Sequence, residues 1–122
     1  MAFPRHLEAS DSYAAFSVTN PATELTRGRF GIAEPCLGCA EFALNKLDLV
    51  LIPGLAFALN GARLGRGKGY FDRLLAQVAG TRCGVAFEWQ VLSEIPTEAH
   101  DILVDCLVTP SQWRVFRDVV DK

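Results

Sequence analysis

A strand, a glycine-rich turn, a helix and two further strands follow one another in the second half of this chain. No other feature limits its fold so strongly. "DLVLIPG" (Asp48–Gly54) is a short apolar run ended by Pro-Gly, the mark of a strand buried on both faces. A glycine-rich stretch comes next. "GYFDRLLAQVAG" (Gly69–Gly80) then sets Tyr70, Phe71, Leu74, Leu75 and Val78 at helical spacing, with Gly80 placed as the C-cap. "RCGVAF" (Arg82–Phe87) predicts a second buried strand, which "QVLSEIP" breaks off at Pro96. "DILVDCLVT" (Asp101–Thr109) predicts a third, bounded by Pro110, and Ser111 predicts the cap of a short final helix, "QWRVFRDVV". This order predicts an α/β domain with a mostly parallel central sheet flanked by helices. Ligands of such sheets sit at the carboxyl ends of the strands, and the glycine-rich stretch falls there.

The first part of the chain is weakly patterned and rich in loops. "YAAFSVT" (Tyr13–Thr19) predicts a strand, and "NPATELTRGRFGIAEP" reads as a turn, a short helical segment and a loop. With 122 residues, half of them hydrophobic and 21% charged, the composition suits one globular domain rather than a disordered chain. A net charge of −2 argues against a general nucleic-acid binder, so any basic site is local. No apolar run approaches the ~20 residues that span a bilayer. "MAFPRHLEAS" lacks the apolar centre of a signal peptide, which gives the expectation of a cytoplasmic protein with free thiols. "CLGC" (Cys36 and Cys39) has the spacing of half a zinc knuckle, but no second such pair follows. A redox CxxC belongs in a thioredoxin-like βαβ context, which is absent. The simplest reading is a loop with two incidental thiols. Cys83 and Cys106 lie in apolar stretches and read as core.

"GARLGRGKGYFDR" (Gly61–Arg73) carries the chemistry. Its glycines at 61, 65, 67 and 69 permit left-handed backbone and close approach. Successive free N–H groups in such a segment form an anion nest. Arg63, Arg66 and Lys68 add charge, the arginines as bidentate forks and the lysine as a mobile point charge. Asp72 supplies a carboxylate of the kind that holds magnesium beside phosphates. The Walker pattern is absent, because Gly69 follows Lys68 where Ser or Thr is needed; GxGxxG is absent too. The competing reading of the same residues is a basic surface turn capping a helix.

"GRFGIAEP", "LIPGLAF", "GARLGRGKGYFDR", "GVAFEWQ" and "IPTEAHDILVDCLVT" follow one another, in order and gaps from about Phe3 to Thr109, in a way that resembles the 5-formyltetrahydrofolate cyclo-ligase (methenyltetrahydrofolate synthetase) family. The resemblance implies a three-layer cyclo-ligase-like domain. It also implies an ATP- and magnesium-dependent conversion of 5-formyltetrahydrofolate to 5,10-methenyltetrahydrofolate. There ATP phosphorylates the formyl oxygen, a folate nitrogen closes the ring and phosphate leaves. Carried over residue by residue, the ATP loop falls on Arg63, Leu64, Gly65, Arg66, Gly67, Lys68, Gly69, Tyr70 and Phe71. Arg66, Lys68 and Tyr70 fall on catalytic positions, and Asp72 and Asp101 on magnesium-associated carboxylates. Gln90 and Glu34 match landmarks, and His100 receives no role. Two departures stand out. Phe71 replaces the usual Tyr before the Asp, which removes a hydroxyl. The chain, residues 1–122, corresponds to a single domain equivalent to the C-terminal two-thirds of such an enzyme. The expectation that follows is uncovered sheet surface and a homo-oligomer, with no nucleic-acid or membrane partner. The alternative function is a non-catalytic relative that binds nucleotide or phosphate.

Overall fold

The computed structural model describes residues 1–28, 31–65, 69–98 and 101–116. Arg66, Gly67 and Lys68 lie outside the described residues, as do His100 and positions 117–122 of the predicted final helix.

Strands β1 (Ala2–Leu7) and β2 (Ser12–Ser17) form an antiparallel hairpin that sets His6 opposite Tyr13. The hairpin turns through Asp11, which holds a left-handed φ of 46°, a conformation that Asp tolerates better than most residues. Asn20 then caps the single turn of α1 (Pro21–Glu24) through its side chain, and Pro21 occupies the first helical position. Strands β3 (Leu25–Arg27) and β4 (Ala33–Pro35) pair with each other, and β5 (Glu41–Phe42) joins the free side of β2.

After β6 (Leu49–Ile52), the strands β7 (Ala56–Ala58) and β8 (Arg63–Leu64) make a small hairpin. Helix α2 (Tyr70–Leu75) leads into β9 (Thr81–Val85). Strand β10 (Val91–Leu92) adds in parallel to β7, and β11 (Cys106–Val108) is followed by β12 (Trp113–Val115). The main sheet has the order β12-β11-β9-β6. Its strands β6, β9 and β11 are parallel and β12 is antiparallel. One core lies between this sheet, α2 and β7, filled by Ile52, Phe57, Leu74, Leu75, Val78, Val104 and Leu107. A second, smaller core of Ala14, Phe16, Val18 and Cys39 lies under the first hairpin.

The structure revises several expectations. The domain is α/β with a mixed main sheet, but among the described residues α2 spans six residues and α1 four, so flanking helical layers are only partly present. Strand β6 is buried on one face, not both: Ile52 is 0% exposed, whereas Leu49 and Leu51 are 55% and 63% exposed. The predicted strand at Asp101–Thr109 shortens to β11, because the Val104 N–H is drawn to the Gly61 carbonyl (2.8 Å) instead of a neighbouring strand of the sheet.

Gly80 is not a C-cap, since α2 closes at Ala76. It is a glycine because a Cβ there would run into the carbonyl oxygens of Leu47 and Asp48. The described part of the predicted final helix is instead strand β12. Ser111 spends its N–H and hydroxyl on Glu88 rather than on a helix end. Trp113–Val115 pairs with β11, a role that suits aromatic and β-branched residues.

Candidate functional site

The site is assembled where β6 ends. Its next residue, Pro53, accepts a hydrogen bond from Arg63 Nε at 2.6 Å. That bond fixes the arginine at the carboxyl end of a parallel strand. The guanidinium lies over the Phe71 ring, 4.9 Å from its centroid, a cation–π contact that tolerates desolvation. It also sits close above Gly65, where a Cβ would lie 2.8 Å from Nη1. Burial lowers the Arg63 pKa, and the charge of Asp72 works against that shift. Arg63, Gly65, Phe71 and Asp72 thus converge from β8, the loop and α2. They flank positions 66–68 on both sides in sequence.

Gln90 explains why the turn after β6 holds its shape. Its Nε2 donates to the carbonyls of Gly54 (3.0 Å) and Leu55 (3.3 Å), while its Oε1 accepts the Phe87 N–H (2.9 Å). The landmark glutamine is a brace for the floor of the site. Glu34, the other landmark, joins β4 to the first hairpin by accepting the His6 N–H at 2.9 Å.

Tyr70 is reached by the first hairpin. Its hydroxyl donates to Asp11 Oδ1 at 2.9 Å, and His6 Nε2 meets the same oxygen at 2.8 Å. The rings of His6, Tyr13 and Tyr70 contact one another edge-on with centroids 5.3–5.9 Å apart. Phe71 lies nearly parallel to Tyr13, at 6.4 Å and 18°. Arg73 covers Tyr70 from outside and donates to the Asp11 carbonyl. Phe71 is therefore an apolar shelf between Arg63 and Tyr13.

Gly69 opens α2 with φ 72°, and its carbonyl accepts the Arg73 N–H at 3.1 Å. Leu64 is exposed on β8. Asp101 closes a turn on itself: its Oδ2 accepts the Glu98 N–H at 2.8 Å and its own N–H returns to the Glu98 carbonyl. Among the described residues no group of three or more His, Cys, Asp or Glu side chains is placed to hold a metal ion. Asp72 and Asp101 are thus not part of a ready-made cation cage. Arg66, Gly67 and Lys68 lie outside the described residues.

Sequence reasoning overlooked His6, Asp11 and Tyr13. They sit in the weakly patterned first part of the chain. Their one signal was register: a hairpin centred on residues 9 and 10 sets 6 against 13.

A charged and aromatic cluster at the carboxyl end of parallel strands, beside a glycine-rich loop, is the arrangement of an α/β ligand-binding protein. The profile of the 5-formyltetrahydrofolate cyclo-ligase family matches residues 1–110, and the chain belongs to that family. It is 38% identical over 92 residues to 5-formyltetrahydrofolate cyclo-ligase of Mycolicibacterium smegmatis, covering 72% of this chain and 47% of that one. The Escherichia coli K12 cyclo-ligase is 35% identical over 97 residues, covering 76% and 53%. The NMR structure of Aquifex aeolicus 5,10-methenyltetrahydrofolate synthetase superimposes with a TM-score of 0.83 at 40% identity, covering 99% of this chain and 60% of that one. The chain therefore spans about half the length of the two sequence relatives. No helix among the described residues is long and apolar enough to cross a membrane.

Proposed function

We propose that this chain carries the ATP- and magnesium-binding side of a 5-formyltetrahydrofolate cyclo-ligase site, which converts 5-formyltetrahydrofolate to 5,10-methenyltetrahydrofolate. The observation that carries the reading is the half-buried Arg63 guanidinium. It is fixed at the end of β6 by Pro53, shelved on Phe71 and set near the charge of Asp72. A cation held so firmly is pre-organised for an anion, and it loses little freedom when one binds.

A guanidinium beside a carboxylate at the rim of a glycine-rich loop fits a magnesium–polyphosphate ligand. Arg63, Arg66 and Lys68 would bind phosphate oxygens, with Gly65, Gly67 and Gly69 letting the backbone approach. Leu64, Tyr70 and Phe71 would wall the loop, and Asp72 with Asp101 would hold magnesium. ATP–magnesium supplies phosphoryl activation of the formyl oxygen. The residues of this chain then orient the reactants and offset charge, and the chemistry needs no protein nucleophile. Tyr70, held by Asp11, would keep a fixed wall toward the folate. The exposed Leu49 and Leu51 on β6 extend the reading to self-association, with a second copy covering that face.

Two measurements test the reading. Calorimetry with ATP–magnesium should show binding that Arg63→Ala and Lys68→Ala each weaken by about tenfold or more, the loss of one charge-assisted contact. Absorbance of the methenyl product should rise only when ATP, magnesium and 5-formyltetrahydrofolate are all present. Binding unchanged by both substitutions would place the nucleotide elsewhere and sink the proposal.

A further inference from the structure

The CLGC turn holds chemistry that the proposed function does not use. The Cys39 N–H donates to the Cys36 carbonyl at 3.1 Å, so the two cysteines are the corners of a β-turn, less than about 7 Å apart at Cα. Disulfides bridge Cα separations of about 4.4–6.8 Å. Both thiols are free, and their Sγ atoms lie 3.4 Å apart. Side-chain rotation is enough to close the bond. The turn's tip is open: Leu37 is 90% exposed, and nothing lies within 4 Å of where a Cβ on Gly38 would be. Cys36 is partly exposed and Cys39 buried, so a small oxidant meets Cys36 first.

The other cysteine pair makes the contrast. Cys83 and Cys106 are register partners on β9 and β11, yet both are buried at 2% and 0% exposure. Burial, then Cys83, pushes the Cys106 thiol up to about 12. Burial, then Cys36, raises the Cys39 thiol as well, so the contrast lies in access: the first pair has a partly exposed member to meet the oxidant and the second has none.

We propose that Cys36 and Cys39 are a redox site that closes to a reversible intrachain disulfide on exposure to peroxide. The Cys36 thiolate attacks hydrogen peroxide, the O–O bond breaks, and sulfenic acid and hydroxide form. The Cys39 sulfur then attacks the Cys36 sulfur. The S–O bond breaks, and the departing hydroxyl takes up the Cys39 proton and leaves as water. Glu24 Oε2, 3.8 Å from Cys39 Sγ, is placed to relay that proton. The proton first lost by Cys36 neutralises the hydroxide. In sum the two thiols give up a pair of electrons and two protons, and one peroxide takes them up to become two waters. The turn is tied to β1, because Arg5 Nη1 donates to the Cys36 carbonyl at 2.8 Å. The pair thus lies beside the strand that carries His6.

The test is peptide mapping of the full chain by mass spectrometry after hydrogen peroxide and alkylation of the remaining thiols. The expected product is a Cys36–Cys39 disulfide that dithiothreitol reverses, formed at least on the order of tenfold faster than any oxidation of Cys83 or Cys106. In Cys39→Ser, Cys36 should stop at sulfenic acid, trapped by dimedone; Cys36→Ser should form no intrachain bond. Should either variant not fold, the wild-type map decides alone. The proposal is overturned if wild-type Cys36 over-oxidises without pairing, if the bridges formed join separate chains, or if Cys83 and Cys106 react first.

Discussion

Gln90 and Glu88 are two residues whose work is visible only once their partners are known. The Gln90 amide bonds three backbone groups around the turn after β6. Gln90→Leu should leave those groups poorly matched and cost about 1–3 kcal/mol in urea unfolding. ATP–magnesium binding should weaken with it if the turn positions Arg63.

Glu88 accepts from the Ser111 hydroxyl and N–H and from the Thr109 hydroxyl. The Ser111 hydroxyl, then that of Thr109, holds its pKa below the ordinary 4.5. A carboxylate depressed on folding adds stability that is fully present above the unfolded value. That stability disappears as pH falls through the folded value. Melting temperature followed from pH 7 downwards should therefore fall below about pH 4.5 more steeply in the wild type than in Glu88→Gln. Equal slopes would remove Glu88 from the acid response. At this scale the sequence displayed residue types and left their pairings hidden. Asp11 and Tyr70 are 59 positions apart, and no local pattern reports such a bond.

Elements were legible where the signal was local. The apolar runs of β6 and β9 and the periodicity of α2 are short-range properties, and each element begins within one residue of its expected start. Two failures had tertiary causes. Strand β12 forms from a helix-like segment because β11 offers an open edge and Glu88 takes Ser111. The close of α2 and the function of Gly80 were misjudged because the limiting neighbour is the backbone of Leu47–Asp48, far away in sequence. Gly80→Ala should destabilise the chain by about 1–3 kcal/mol, as overpacking does. Hydrogen exchange should show the loss concentrated in β6 and β9, since the Thr81 N–H bonds the Asp48 carbonyl at that contact. Stability equal to wild type would mean that the two segments are not packed as described.

At the scale of the molecule, β6 ends the order of the main sheet and turns Leu49 and Leu51 outward. An edge with apolar side chains favours pairing with another chain. Sedimentation velocity at micromolar concentration should show self-association that Leu51→Lys shifts towards monomer. A wild-type chain that stays monomeric throughout that range would refute a second copy on this face.

Composition and periodicity were sufficient for the α/β class and for the position of the glycine-basic loop after a strand, and the order of five motifs from about Phe3 to Thr109 carried the resemblance to the family. Each strand, helix or motif among these is written in residues near one another along the chain. Only the tertiary structure decided that Arg63 rests on Phe71, that Asp11 holds Tyr70 and His6, that β6 is covered on one side, and that Cys36 and Cys39 face each other. Those facts depend on which distant segments pack together, and the free energy that selects them is shared across the whole core rather than encoded in any one stretch.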